Sequence, residues 1–296
     1  MRKLSLAVLL VLASRSLRAA ETASFLDIGV GARALGMGGA CTALADDANA
    51  LYWNPAGLSK LEKREFAASH AELFESTRLD FLAYAHPTSQ GTFAAGLTYL
   101  SQGKIDGRDS LGHRTAGYDA SDAAISLGYG RKLDFAELGA TVKYLRSHID
   151  GTQAQGAAVD IGAKRAFDRV RVGAALRNLG PGLKYQDQRN DLPLRLAVGA
   201  AYAFAGGHAA AVEVVNGPRG AGTDASFGGE YQAVKSVFLR AGYTTRTAIT
   251  GGAGFDVARG LTLGLGMRNE KWILDYAVLP SGELGRSHRF SFGARF

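Results

Sequence analysis

From about Arg64 to Phe296 apolar side chains recur at every second position, the spacing of a strand with one greasy face. In 135–147, Ala136, Leu138, Ala140, Val142 and Tyr144 alternate with Glu137, Gly139, Thr141 and Lys143. Leu194, Leu196, Val198, Ala200, Tyr202 and Phe204 do the same against Arg195, Ala197, Gly199 and Ala201. So do Leu261, Leu263, Leu265 and Met267, and Trp272, Leu274, Tyr276 and Val278. Segments near 79–86, 92–100, 122–131, 156–166, 169–178, 208–215, 224–232 and 236–244 behave alike, and Phe290, Phe292, Ala294 and Phe296 share one face of a final strand.

The other face separates two all-β architectures. A sandwich turns that face to water and fills it with Thr, Lys and Glu; here it is mostly Gly and Ala, with Lys143, Lys164, Arg195, Arg240, Arg268, Glu137, Asp160, Glu230 and Asp275 set mid-strand. Small residues suit a crowded concave surface. Tyr99, Tyr129, Tyr144, Tyr202, Phe204, Tyr243 and Tyr276 near the ends of the apolar face suit the aromatic girdles of a membrane barrel. The expected fold is therefore all-β, a transmembrane antiparallel β-barrel. Fifteen segments alternate, but single-chain bacterial barrels have even strand numbers. Long connections near 101–121, 148–155, 178–192 and 216–223 alternate with short ones near 87–91, 131–134, 167–169, 205–207 and 232–236. Keeping that alternation assigns 249–257 to an outer loop and leaves about 14 strands.

Ahead of the barrel, 25–61 follows helical spacing rich in Ala, Gly and Leu. Fourteen strands enclose more space than their own side chains fill, so this stretch is expected to fold into or across the periplasmic end as a short helical plug. Arg2 and Lys3, an apolar run from Leu4 to Ala13, and small residues at Ala19 and Ala20 read as a secretory signal peptide, cut after Ala19, Ala20 or Ala23. The expected organisation is a signal at 1–20, a plug or hatch at 21–61 and a barrel at 62–296.

Four basic and no acidic residues lie in the first twenty positions, so the net charge of +7 falls to +3 without them. No nucleic-acid footprint remains. The 39 glycines, about 13% of 296 residues, match the small-residue face. One cysteine, Cys41, forms no intrachain disulfide, and no Cys/His spacing fits a metal site.

Candidate chemistry is thin. Gly29-Val30-Gly31 lacks the β-α-β context of a dinucleotide site. Asp46 and Asp47 are read as a helix-terminal feature or as partners of Arg33 and lumen arginines. Asp106, Asp109, Asp119 and Asp122 match no calcium loop. The six histidines show no i, i+4 pairing and no nucleophile elbow occurs, so no catalytic residue, metal ligand or cofactor is assigned. Trp53-Asn54-Pro55 ends a helix, because Pro disfavours helical geometry in the residue before it. Arg33, Asp46, Asp47, Trp53, Asn54 and Pro55 are the latch candidates, and Phe290, Phe292 and Phe296 resemble the C-terminal signal read by the barrel-assembly machinery.

The runs Ile28–Ala40 and Ala45–Leu58 resemble the N-terminal signature of PorV/PorQ-type outer-membrane proteins, related in fold to FadL-type fatty-acid transporters that share the Asn-Pro-Ala element. The resemblance continues loosely through Leu192-Pro193, Gly229–Tyr231, Leu239–Tyr243, Leu274–Ala277 and His288–Phe292. It implies a fourteen-stranded barrel in outer-membrane lipid with an N-terminal segment at the periplasmic side and no catalytic residues. It also implies a partner-binding role: PorV takes exported cargo by its C-terminal sorting signal to a surface attachment complex that includes PorQ. The alternative is a FadL-like channel for hydrophobic small molecules. Charges of both signs on the inward face argue against a greasy conduit.

Overall fold

In a computed structural model of the chain, described for residues 21–296 apart from 75, 106, 108–109, 114–116, 186–187, 220–221, 246–259 and 281–284, fourteen strands close into an antiparallel barrel. In chain order they are β1 (Glu65–Glu72), β2 (Arg78–Thr88), β3 (Gly91–Ile105), β4 (Tyr118–Lys132), β5 (Glu137–Ile149), β6 (Thr152–Phe167), β7 (Val170–Leu179), β10 (Arg195–Ala203), β11 (Ala209–Gly217), β12 (Gly222–Val234), β13 (Val237–Thr244), β14 (Leu261–Arg268), β15 (Trp272–Pro280) and β16 (Arg286–Arg295). Between β7 and β10 a small hairpin, β8 (Leu183–Tyr185) with β9 (Gln188–Asn190), forms its own sheet. Each barrel strand pairs with its neighbours along the chain, and β1 closes the ring on β16, from Glu65 opposite Arg295 to Glu72 opposite His288. The segment 249–257, assigned to a loop to keep the count even, lies outside the described residues.

The period of two does what it predicts. Leu127, Val142, Val198, Leu263 and Leu274 point outward and are exposed, whereas the charges expected on the opposite face are buried, Lys143, Asp160, Lys164, Arg195, Glu230 and Arg240 among them. An apolar outer wall around a polar inner one is stable only where lipid replaces water outside. Phe93, Tyr129, Phe167, Tyr202, Phe204, Tyr231 and Trp272 collect at the rim with short turns, where the chain also enters β1 and leaves β16. They make the periplasmic aromatic belt. Phe290, Phe292 and Phe296 face outward, while Ala294, in register with Phe66 and Trp272, is buried.

Two connections differ from expectation: 216–223, expected to be long, narrows to the four positions between Gly217 and Gly222, which pair in register, and 148–155 narrows further. The stretch 148–155 is no long loop: β5 and β6 run on past it and join through Asp150 and Gly151 alone, at φ 44° and 76°. Asp-Gly with two positive φ angles is the two-residue turn whose twist matches a hairpin. Polar contacts such as Arg146 donating to Gln153 accompany the strands there.

If lipid bathes the outer wall, Leu127→Arg costs about 2–4 kcal/mol near the bilayer midplane. Denaturant unfolding of barrel refolded in vesicles measures it; an unchanged midpoint would contradict a lipid-facing position.

Candidate functional site

Residues 21–61 meet the inner face of all fourteen barrel strands. The segment contains a 3-10 turn at Ser24–Asp27, short helices at Ala32–Gly36 and Ala50–Trp53, and a 3-10 turn at Pro55–Lys60. Ala32, Leu35, Leu51, Trp53, Asn54, Ala56 and Leu58 are each at most 1% exposed.

What lets the segment in is the wall opposite it. A Cβ added to Gly139 would strike the Pro55 carbonyl, one at Gly162 the Asn54 amide, one at Gly173 the Thr42 carbonyl and one at Gly242 the Met37–Gly38 peptide. The small-residue face of the strands is thus a seat on which strand backbone meets the segment's main chain and, at Gly162, the Asn54 side chain.

Asn54 is the centre of that seat. Its φ of −160° ends the helix Ala50–Trp53, and its Oδ1 accepts from the Ala56 N–H at 3.1 Å, capping the next turn with Pro55 at its start. Its Nδ2 donates to the Thr42 carbonyl at 2.8 Å and, more weakly, at 3.4 Å to the carbonyls of Ala163 on β6 and Ala174 on β7. One side chain therefore caps a turn, ties two parts of the segment together and fixes both to the wall. Beside it, Trp53 donates Nε1–H to the Val30 carbonyl at 2.9 Å, and Tyr52 donates to the Leu26 carbonyl at 2.8 Å.

Charges complete the attachment. Arg33 reaches Asp46 at 2.5 Å, Asp47 at 3.8 Å and Glu230 on β12 at 3.1 Å. Glu230 also accepts from Arg240 at 2.7 Å, and Arg240 donates onward to Asp275 at 2.6 Å. Burial alone would lower the Arg33 pKa, but Asp46, then Glu230 and Asp47, hold it well above its ordinary value. Burial would raise Asp46, yet Arg33, with help from Arg268 and Lys164, keeps its carboxyl below the usual range. Asp47 moves the other way: burial and the adjacent Asp46 push it up against the pull of Arg33. Its Oδ1 accepts from the Asn49 N–H at 2.9 Å.

Several wall residues that serve the segment were not singled out from sequence. Glu213 on β11 accepts from the Cys41 and Thr42 N–H groups at 2.9 and 2.7 Å, and Glu65 on β1 accepts from Ala48 at 2.8 Å. Arg177 on β7 lies 5.4 Å from the Trp53 ring with Nε and Nη2 lacking hydrogen-bond partners. Glu213 could have been found from its place mid-strand between outward Val212 and Val214. Of the acidic residues considered for calcium, Asp106 and Asp109 lie outside the described residues, and the neighbouring Asp122 is bonded to Ser147.

The lumen is also less polar than expected. Leu79, Phe81, Leu100, Leu145 and Leu279 turn inward and share one buried cluster with Phe25, Leu26, Leu51 and Leu58 of the segment. Leu183 of β8 and Leu192 join that cluster from the outer connection, so the hairpin folds in over the segment.

A closed fourteen-stranded wall, greasy outside and filled from within, defines an outer-membrane β-barrel, and the chain is located in the bacterial outer membrane. It belongs to the family of the type IX secretion system protein PorV, whose model matches residues 13–215. Comparison with curated sequences gives no significant match. Among solved structures it resembles the toluene transporter TbuX of Ralstonia pickettii, with 15% identity and a TM-score of 0.63 over 90% of this chain and 98% of that one. The monoaromatic hydrocarbon channel CymD has 14% identity and a TM-score of 0.63 over 94% and 99% of the two chains. The toluene transporter TodX of Pseudomonas putida has 14% identity and a TM-score of 0.61 over 95% and 97%.

Two expectations follow. Asn54→Ala removes a cap and leaves buried carbonyls unmatched, a loss on the order of 2–3 kcal/mol. With Trp272→Phe in the background, Trp53 is the only tryptophan, and its fluorescence reports the undocking. For acid, the folded Asp46 carboxyl titrates below its unfolded value of about 4, so its contribution is whole above that pH and fades as pH falls further. Asp46→Asn flattens the acid limb of a Trp53 fluorescence titration below pH ~4; an unaltered limb counts against the Arg33 pair.

Proposed function

We propose that this protein is a non-enzymatic, partner-binding barrel of the type IX secretion route, which engages exported proteins or surface-attachment components through its outer connections. The observation that carries the reading is the continuous buried cluster running from the N-terminal segment to Leu183 and Leu192. A lumen packed in this way leaves the rim as the working surface, and loops held on a rigid scaffold are where binding concentrates. The connection 178–192, with its β8–β9 hairpin, and the connection 101–121 are the candidate contact regions. In the same reading Arg33, Asp46, Asp47, Trp53, Asn54 and Pro55 act as a fixed plug that holds the barrel's shape, and Phe290, Phe292 and Phe296 present the signal to the assembly machinery. The family match supports the secretion role.

The second reading, a channel for hydrophobic small molecules, is favoured by the named activities of TbuX, CymD and TodX and by the apolar upper lumen. The two part in one experiment. After crosslinking on intact cells, the native barrel co-isolates with secreted proteins, and replacing 183–190 by a two-residue turn abolishes that capture while heat-modifiability persists. In planar bilayers the native protein gives no conductance and confers no toluene uptake. Uptake that survives hairpin replacement but fails with Asn54→Ala would establish the channel instead.

A further inference from the structure

Arg195 opens β10 with its side chain turned inward and 6% exposed. Its register partner on β7 is Arg177, a second buried arginine, whose guanidinium lies 5.4 Å from the Trp53 ring. Counter-charge comes from the start of the described chain. Arg195 Nε donates to Asp27 Oδ2 at 2.9 Å, and Nη1 and Nη2 donate to Glu21 Oε1 and Oε2 at 2.9 and 2.7 Å. The Glu21 contact is a two-pronged fork, the strongest geometry available to a carboxylate on arginine.

The backbone takes part as well. The Thr22 N–H donates to the Asp191 carbonyl at 2.8 Å, Glu21 bridges Asp191 in parallel, and Ala23 is buried at φ 53°. Asp191 belongs to the outer connection between β7 and β10. Residues 21–23 are therefore anchored at the outer end of the lumen.

The sequence permits removal of the leader after Ala19, Ala20 or Ala23. Cutting after Ala23 would discard the fork on Arg195 and the Thr22 bond, taking away two of the charged contacts that this buried guanidinium makes. We infer that the leader is removed no later than the Ala20–Glu21 bond, so that Glu21 is kept in the mature protein as the counter-ion of Arg195. The step is an ordinary hydrolysis by a leader peptidase: water adds across the peptide bond, the carboxylate leaves with the leader, and the α-ammonium stays on the barrel. That new positive end, if it falls at Glu21, arises on the residue that bridges Asp191.

Terminal-peptide mass analysis of protein extracted from outer membranes tests the cut. A mature chain whose first residue is Ala20 or Glu21 agrees; an unprocessed chain, or a first residue of Thr22 or later, overturns it. The counter-ion role has its own measurement. Glu21→Gln lowers the heat-modifiability midpoint by roughly 2–5 °C, for a loss near 1 kcal/mol, and adds nothing in an Arg195→Met background. An unchanged midpoint, or the same fall in both backgrounds, would refute it.

Discussion

Lipid offers no partner for a backbone N–H or carbonyl, so a sheet that crosses a bilayer must have no open edge. Here the pairing of β1 with β16 meets that demand, and much else follows from it. Closure at fourteen strands sets a circumference; the circumference leaves an interior too wide for wall side chains to fill. The interior is filled by residues 21–61, which come before the first strand. They approach closely because the inward face presents glycine where the segment presents main chain, at Gly139, Gly173 and Gly242, and where it presents the Asn54 amide, at Gly162. The unusual glycine content and the filled lumen are two expressions of one constraint.

Charge fixes where the filling sits. Buried ion pairs gain little net stability once desolvation is counted, but removing one partner is severe. Several sets here join segment to wall: Arg33 to Glu230, Glu21 and Asp27 to Arg195, and the Cys41–Thr42 amides to Glu213. Sliding the segment by one residue would break several at once, so these contacts specify a register. Lys143 with Asp160, at 2.6 Å, joins wall to wall, as do Arg240 with Glu230 and Asp275, and Asn178 bonds both Lys143 and Asp160 from the irregular end of β7.

The strands were legible because the period of two survives whatever the neighbouring strand is. The inward charges were legible for the same reason, as departures from greasiness in mid-strand. What pairs with what was not legible: Asn54 meets Ala174, 120 positions away, and nothing local to either residue announces the other. The inward Leu79 and Phe81 escaped notice because β2 carries them on one face and Leu82 and Tyr84 on the other, where alternation no longer separates inside from outside. The turn at Asp150-Gly151 was missed for the opposite reason. Its strands go on pairing after their outward side chains turn polar, so a composition shift that looked like a loop was a strand leaving the membrane.

The likeness to hydrocarbon channels at 14–15% identity is a likeness of walls. Any sequence that is apolar outward, small inward and closed at fourteen strands converges on that shape, since lipid and hydrogen bonding dictate it whatever the lumen does. Function therefore rests on what the wall encloses and what its rim displays. In this chain the enclosed part is tied down at both ends, by covalent continuity into β1 near the periplasm and by Arg195 at the outer side, with Asn54 locking the middle. A segment held at three levels is poorly suited to open and close with each passing molecule. It is well suited to keep the rim rigid, and rigidity lowers the entropic cost when an outer loop binds a protein.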